Sequence, residues 1–289
     1  MPNVRIVTDS ACDLADADTA SLNIEVVPLT IRFGSDEFVD RKDLSPKEFW
    51  RRVAASPVLP ETAAPSPGAF EQAFRKASGD GAPAVVCINL SSKLSATYAS
   101  AELAATSVRP GIDVRVVDSL SITMGQGSMV RVAATMAASG ASADEIVATV
   151  ESMRMRTRVY GALDTLDNLK KGGRIGGAKA LIGSLLSVKP LLDISSGAVE
   201  ELGKQRTRSK ALAHLTKMVM DAKNEYGSIE NLAVMHGDAD DADQIVDQLS
   251  VAFPRDQIVQ GQIGAVIGSH GGPRVVGITF NLPATDPGV

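Results

Sequence analysis

Short runs of branched apolar residues alternate along the chain with longer stretches in which apolar positions recur at helical spacing. These runs lack the alternation of a half-exposed strand, which is typical of strands buried on both faces of a parallel sheet. The first half predicts such strands at residues 4–8, 24–27, 84–89, 114–118 and 159–163. Their strand–helix–strand order predicts a mainly parallel, doubly wound sheet with flanking helices.

Helices in this half have recognisable starts. Ser45-Pro46-Lys47-Glu48 combines an N-cap residue, proline at the first helical position and glutamate three residues after the cap. The segment Ser142-Ala143-Asp144-Glu145 repeats this capping box, and Ser66-Pro67 begins a helix that runs to about Gly79. We therefore expect helices after Ser45, Ser66 and Ser142.

Antiparallel pairing is predicted at two tight turns. Phe33-Gly34-Ser35-Asp36 predicts a hairpin in the first half, and Ser196-Gly197 separates strands at 189–194 and 199–204. Helices near 210–225 and 240–252 then alternate with strands at 231–236, 257–263 and 275–280. We predict two α/β domains, an N-terminal one over residues 1–163 and a C-terminal one with a mixed sheet over residues 164–289.

Composition excludes several functional classes. Among 289 residues, 29 Lys+Arg oppose 34 Asp+Glu for a net charge of −5, and aromatic residues make up 4%. Nucleic acids reward clustered basic side chains and aromatic stacking platforms, so we expect no nucleic acid partner. Apolar runs fall short of the roughly 20 residues that span a bilayer, and the first residues lack a signal-peptide pattern. We expect a cytoplasmic protein without integral membrane contact.

Familiar catalytic and cofactor motifs are missing from the sequence. Cys12, Cys87 and the histidines have no partners at metal-ligand spacing. The glycine run that ends at Gly177 fails as a phosphate loop because Ala178 occupies the lysine position. No Gly-x-Ser-x-Gly elbow supports a Ser/His/Asp hydrolase. We expect no metal, no cofactor and no catalytic residue.

Hydroxyl side chains follow three of the predicted parallel strands, in Thr8-Asp9-Ser10, in residues 89–95 and in Asp118-Ser119. The carboxyl ends of parallel strands meet at one edge of a sheet, where ligands bind. Ser95 also opens a predicted helix, whose free N–H groups favour an anion. Such an edge suits a single carboxylate better than a triphosphate, although ordinary helix capping is the alternative.

Three further residues lie in segments of unusual backbone. Thr62 lies between Pro60 and Pro65, in a loop that cannot be helical. Arg174 is flanked by glycines that leave it uncovered, with a plain flexible loop as the alternative. His270 lies in a glycine turn before the last strand, where its ring N–H suits a bound anion.

Together these segments resemble the DegV family, in the family's order and over the whole chain. The matching segments are residues 7–14, Thr62 with Pro65-Ser66, residues 90–98, 117–119 and 169–175, Lys189-Pro190, Arg206-Thr207 and His270-x-Gly272-Pro273. The resemblance implies a two-domain lipid-binding protein, not itself an enzyme, that holds one long-chain fatty acid between its domains. In bacteria with a fatty-acid kinase, it implies a partner of the kinase catalytic subunit that presents the carboxylate for acyl-phosphate formation and phospholipid synthesis.

The resemblance also implies roles for individual residues. It gives the carboxylate to Thr62 and to the segment 91–95, in which Ser95 is favoured and Ser92 is the second choice. Departures from the family pattern occur at Ala63-Ala64, where Ser-Gln is usual, at Ala96, where Gly is usual, and at Arg274, where Gly is usual.

Other residues are implied around the head group. Arg174 and His270 would surround it or face the kinase, while Asp9 and Ser10 would support the same crevice. The apolar segment 178–188 (Leu181, Ile182, Leu185, Leu186) and the helix that starts near Ile122 are candidate tunnel walls, with plain core packing as the alternative. Kinases of dihydroxyacetone are similar in fold, so a subunit acting on a small phosphorylated or carbonyl substrate is the second hypothesis.

Overall fold

The computed structural model describes residues 3–284, with the side chains of residues 182–187 left out. The strands are β1 Arg5–Asp9, β2 Glu25–Val27, β3 Thr30–Phe33, β4 Asp36–Val39, β5 Glu61–Ala63, β6 Val85–Asn89, β7 Val114–Asp118, β8 Thr157–Ala162, β9 Lys189–Asp193, β10 Glu200–Gln205, β11 Glu230–His236, β12 Val259–Gln262 and β13 Val276–Asn281.

The α-helices are α1 Asp16–Ser21, α2 Pro46–Ala55, α3 Pro67–Gly79, α4 Thr97–Val108, α5 Thr123–Ala138, α6 Ala143–Arg156, α7 Asp167–Lys171, α8 Arg208–Tyr226, α9 Asp243–Leu249 and α10 Ala265–Gly271. Short 3-10 segments occupy Ser10–Cys12, Gly176–Ser187 and Arg255–Gln257. The three predicted helix starts are confirmed, since Ser45, Ser66 and Ser142 each cap the helix that follows.

A parallel sheet of four strands, in the order β2-β1-β6-β7, organises the first half of the chain. Every residue of β6 is buried, which explains why its sequence shows no alternation. Helices α3 and α4 cover one face through a core that includes Phe70 and Phe74. Helix α5 packs on the other face through Met129 and Val130. The predicted doubly wound parallel sheet is confirmed.

The second large sheet is mixed, with the strand order β10-β9-β8-β13-β11-β12. Only β11 and β12 run parallel, while the other neighbours are antiparallel. One face packs against α8 and α9 through residues such as Leu215 and Ile245. Val159, Leu192 and Val275 belong instead to the same core as Met129 of α5. The two large sheets therefore share one hydrophobic core.

Strand β8 requires a correction to the sequence analysis. The strand predicted at 159–163 exists, but it pairs antiparallel with β13 and β9 in the mixed sheet and does not join the parallel sheet. An apolar run indicates that a strand is buried and does not say which sheet buries it. The mixed sheet thus takes one strand from before the predicted boundary at residue 163.

A small antiparallel sheet, β4-β3-β5, adds a third layer. Its β3–β4 hairpin turns between Phe33 and Asp36, as predicted. The proline-bracketed loop around Thr62 forms the edge strand β5, in which Thr62 pairs with Ile31. A short strand therefore fixes the backbone that carries the Thr62 hydroxyl.

A second expectation that needs correction concerns helix α10. The sequence predicted a glycine turn around His270. His270 lies instead in the last turn of this seven-residue helix. Elements from the first half hold its start: Asp13 Oδ1 accepts from the Gly264 N–H at 3.0 Å, and Trp50 Nε1 donates to the Ile263 carbonyl at 2.9 Å. The helix has no side-chain cap of its own, so the usual sequence signal for a start was missing.

Candidate functional site

A cavity lies where the mixed sheet, helix α10 and the N-terminal half meet. It encloses about 840 Å³ of space free of protein atoms, part of it open to solvent. Aliphatic side chains from both halves form most of its wall: Leu29, Leu90, Leu94, Ile122, Val159, Leu163, Leu169, Leu192, Ile194, Val199, Ile263, Val266, Ile267 and Val275. Such a wall suits an apolar ligand.

The polar side chains of this wall include four of the residues predicted to meet a carboxylate or to surround it, namely Thr62, Ser95, Arg174 and His270. Thr62 and His270 both line the cavity, and Thr62 Oγ1 lies 2.9 Å from His270 Nε2. Thr62 comes from an edge strand and His270 from the last turn of α10. Ser95 lines the same cavity from the segment that precedes α4. The fold therefore gathers two hydroxyls and an imidazole on one cavity.

The His270 imidazole is held in its neutral form. Burial, and to a smaller extent the positive charge of Arg174, lower the pKa of His270 to about 4. Its Nδ1 atom is buried without a hydrogen-bond partner. The ring packs so closely against Gly172 that a Cβ there would lie 2.4 Å from Nδ1. At neutral pH this side chain offers a hydrogen bond and no charge.

Ser95 and Arg174 are tied to the backbone around them. Ser95 Oγ accepts from the Thr97 N–H at 3.3 Å and lies 2.9 Å from Thr97 Oγ1. Arg174 Nε donates to the Leu94 carbonyl at 3.0 Å, and Arg174 Nη1 donates to the Gly172 carbonyl at 2.7 Å. Arg174 also lines the cavity. Its guanidinium therefore joins the glycine-rich segment to the segment that carries Ser95.

Ser92 does not line the cavity. Its side chain is exposed, and its backbone N–H donates to Asp118 Oδ1 at 3.1 Å. The neighbouring Ser91 is buried and donates to the Gly197 carbonyl at 2.6 Å. Of the two serines weighed for the carboxylate, Ser95 lines the same cavity as Thr62 and His270, and Ser92 does not.

Asp9 and Ser10 do not line the cavity either, but each accepts a hydrogen bond from the backbone of a residue that does. Asp9 is fully buried and accepts from the Leu90 N–H at 2.9 Å, and burial raises the pKa of Asp9. Ser10 Oγ accepts from the Leu29 N–H at 3.1 Å. Leu90 and Leu29 both line the cavity. These two polar residues thus fix the backbone of two wall positions.

Thr123 is a wall residue that the sequence analysis missed. It opens α5 with a φ of 46°, which is unusual for a β-branched residue, and its side chain is buried against the cavity. The preceding Ile122, which was predicted as a tunnel wall, lines the cavity as well. Leu181 is buried, whereas Ile182, Leu185 and Leu186 lie outside the described side chains.

Residues 3–284 carry neither a metal-binding cluster nor a membrane-spanning helix. No three His, Cys, Asp or Glu side chains in that part of the chain are grouped so that they could hold a metal ion. Among the helices described there, none combines the length and the apolar character needed to cross a bilayer.

Fold and site together define an α/β protein with a largely aliphatic cavity whose wall carries hydroxyls, a neutral imidazole and one guanidinium. The chain belongs to the DegV family, whose sequence model matches residues 3–282. A DegV domain-containing protein of Deinococcus radiodurans is 37% identical over 280 residues, covering 96% of this chain and 98% of the relative.

Solved structures show the same likeness. A DegV family protein from Thermus thermophilus, described by its fatty acid binding, superposes with a TM-score of 0.89 at 32% identity, covering 97% of this chain and 100% of that chain. DegV of Bacillus subtilis, described as a fatty acid binding protein, gives a TM-score of 0.88 at 31% identity, covering 98% and 100%. The structural neighbours are thus fatty-acid-binding members of this family.

The state of His270 can be tested by titration. We expect its imidazole carbon resonances, followed by NMR in ligand-free protein, to titrate with a midpoint near pH 4, because burial disfavours the charged ring. Arg174→Met should move the midpoint upward by removing a nearby positive charge. A His270 midpoint at the ordinary value of about 6.5 would contradict the neutral imidazole described here.

Proposed function

We propose that this chain binds a long-chain fatty acid in the cavity and presents its carboxylate to the catalytic subunit of a fatty-acid kinase. The observation that carries this proposal is the Thr62–His270 pair on the wall of an otherwise aliphatic cavity. Fatty acid binding by the structural neighbours supports it. In this role the chain carries the substrate and contributes no catalytic residue.

The apolar wall accounts for the tail of the ligand. Each methylene removed from water contributes about 0.8 kcal/mol, so a long saturated chain gains ample affinity without any ion pair. A small phosphorylated or carbonyl substrate, the second hypothesis, would leave most of these aliphatic side chains without a partner. The wall therefore favours the fatty acid over that alternative.

The polar side chains of the wall provide the binding site for the carboxylate head of the ligand. Thr62, Ser95 and the neutral His270 supply hydrogen bonds, which orient a carboxylate without the strong grip of a buried ion pair. Arg174 contributes positive charge nearby while its Nε and Nη1 atoms already serve backbone carbonyls. A carboxylate held in this way keeps its oxygen free to react with a phosphoryl donor.

Arg174 is the residue that we place between ligand and kinase. It is half-buried and follows Gly172 and Gly173 in the glycine-rich segment after α7. Arg174 is therefore partly exposed beside the cavity, where a partner protein carrying ATP would dock. Arg174 would then help to position the docked kinase against the carboxylate, without itself taking part in the phosphoryl transfer.

Thr62→Val should weaken fatty acid binding while leaving the fold intact. The change removes one hydroxyl, and a hydrogen bond to a charged group contributes about 1.5–3 kcal/mol, so we expect palmitate to bind about 10- to 100-fold more weakly. A fluorescence displacement assay measures this directly. Thr30→Val is the matched control, because Thr30 lies in the same small sheet and does not line the cavity. Unchanged palmitate affinity in Thr62→Val would show that the Thr62 hydroxyl does not bind the carboxylate.

Arg174→Ala should separate binding from presentation. We expect palmitate affinity to change far less than the rate of acyl-phosphate formation with a fatty-acid kinase, followed as hydroxamate after trapping with hydroxylamine. Arg75→Ala is the control, since Arg75 is exposed on α3 and pairs only with its helix neighbour Glu71 among the ion pairs of the described residues. Equal losses of affinity and rate in Arg174→Ala would argue against a role toward the kinase.

A further inference from the structure

Two glycines face each other in the middle of the mixed sheet. Gly161 of β8 and Gly277 of β13 are direct cross-strand partners, and both line the cavity. Residues directly opposite in an antiparallel pair place their side chains on the same face. A glycine inside a strand weakens it and often marks a site where another group approaches the backbone closely. The pair therefore forms a patch of bare backbone on the cavity wall.

The protein's own packing does not require glycine at either position. A Cβ at Gly161 would lie 3.5 Å from Leu163 Cδ1, and a Cβ at Gly277 would lie 3.7 Å from the Tyr160 carbonyl oxygen, both ordinary contact distances. By contrast, a Cβ at Gly237 would lie 2.6 Å from the Trp50 ring.

Backbone conformation does not require glycine there either. Neither Gly161 nor Gly277 is among the glycines of positive φ, so an alanine or valine adopts the same backbone without strain. Because both positions have room for a Cβ and a conformation open to other residues, the space over this pair is available to a ligand.

The glycine pair lies further along the sheet than the end that is next to His270. Val275 is adjacent to the end of α10, since a Cβ at Gly271 would lie 3.2 Å from its side chain, and Gly271 follows His270 directly. Gly277 is two residues further along the chain, which is about 7 Å in a strand. On β8 the same face carries Val159 and Gly161, Leu163 follows directly after the strand, and all three line the cavity.

We propose that Gly161 and Gly277 determine acyl-chain length, by keeping open the passage through which the tail continues from Leu163 and Val275 toward Val159. This inference rests on the proposed fatty acid binding. A ligand whose carboxylate meets Thr62 and His270 passes the glycine pair with its distal methylenes. A side chain at either position would occupy the space that those methylenes use.

The test compares a short and a long saturated acid in variants that fill the passage. In Gly161→Val and Gly277→Val we expect stearate to bind at least about tenfold more weakly, because about two distal methylenes or more lose their burial. Decanoate should stay within about twofold of its affinity for the unaltered protein. Gly161→Ala should show a smaller shift of the same sign, and it serves as the milder variant if valine impairs folding.

Gly79→Ala is the control, because Gly79 is exposed at the end of α3 and a Cβ there meets no atom within 4 Å. Circular dichroism and the thermal midpoint establish that each variant is folded. An unchanged ratio of stearate to decanoate affinity would overturn the inference, as would equal losses of both acids. If the unaltered protein binds neither acid, the proposed function itself fails, and this outcome is distinct from the other two.

Discussion

Helix α10 lies near the end of the chain, and elements near the start of the chain hold it in place. Three hydrogen bonds make this connection, from Asp13 to Gly264, from Trp50 to Ile263 and between Thr62 and His270, across 251, 213 and 208 positions of sequence. The wall of the cavity and its polar group both depend on this contact. A separation of α10 from the N-terminal half would break the contact between Thr62 and His270 and would expose the aliphatic wall to water.

Close packing around α10 depends on small residues and on one buried acid. A Cβ at Gly264 would lie 2.6 Å from Asp13 Oδ1, and a Cβ at Gly268 would lie 2.7 Å from Phe49 and Trp50 ring atoms. Burial raises the pKa of Asp13 to about 7, while Arg41, whose Nη2 lies 3.9 Å from Asp13 Oδ1, favours the charged form. These features place a short helix without its own cap against the N-terminal half of the chain, where it contributes a neutral imidazole to the cavity wall.

Local signals in the sequence predicted much of the fold. Capping residues located α2, α3 and α6, and glycine turns located the hairpins, because these features depend on a few adjacent residues. The sheet that receives β8 and the helical state of the segment around His270 depend on distant partners, so the local pattern did not contain them. The sequence suggested Thr62, Ser95, Arg174 and His270 separately, and the family resemblance grouped them. Only the structure shows that Thr62 contacts His270 and that Ser92 lies outside the cavity wall.

Mass spectrometry of what the purified protein carries tests the central claim most directly. The protein is isolated under native conditions without added lipid, denatured, and its extracted small molecules are identified and quantified against the protein. An aliphatic cavity of this size with hydrogen-bonding groups on its wall predicts a long-chain fatty acid near one molecule per chain. A protein that is consistently empty, or that carries a polar phosphorylated or carbonyl compound, would contradict the account.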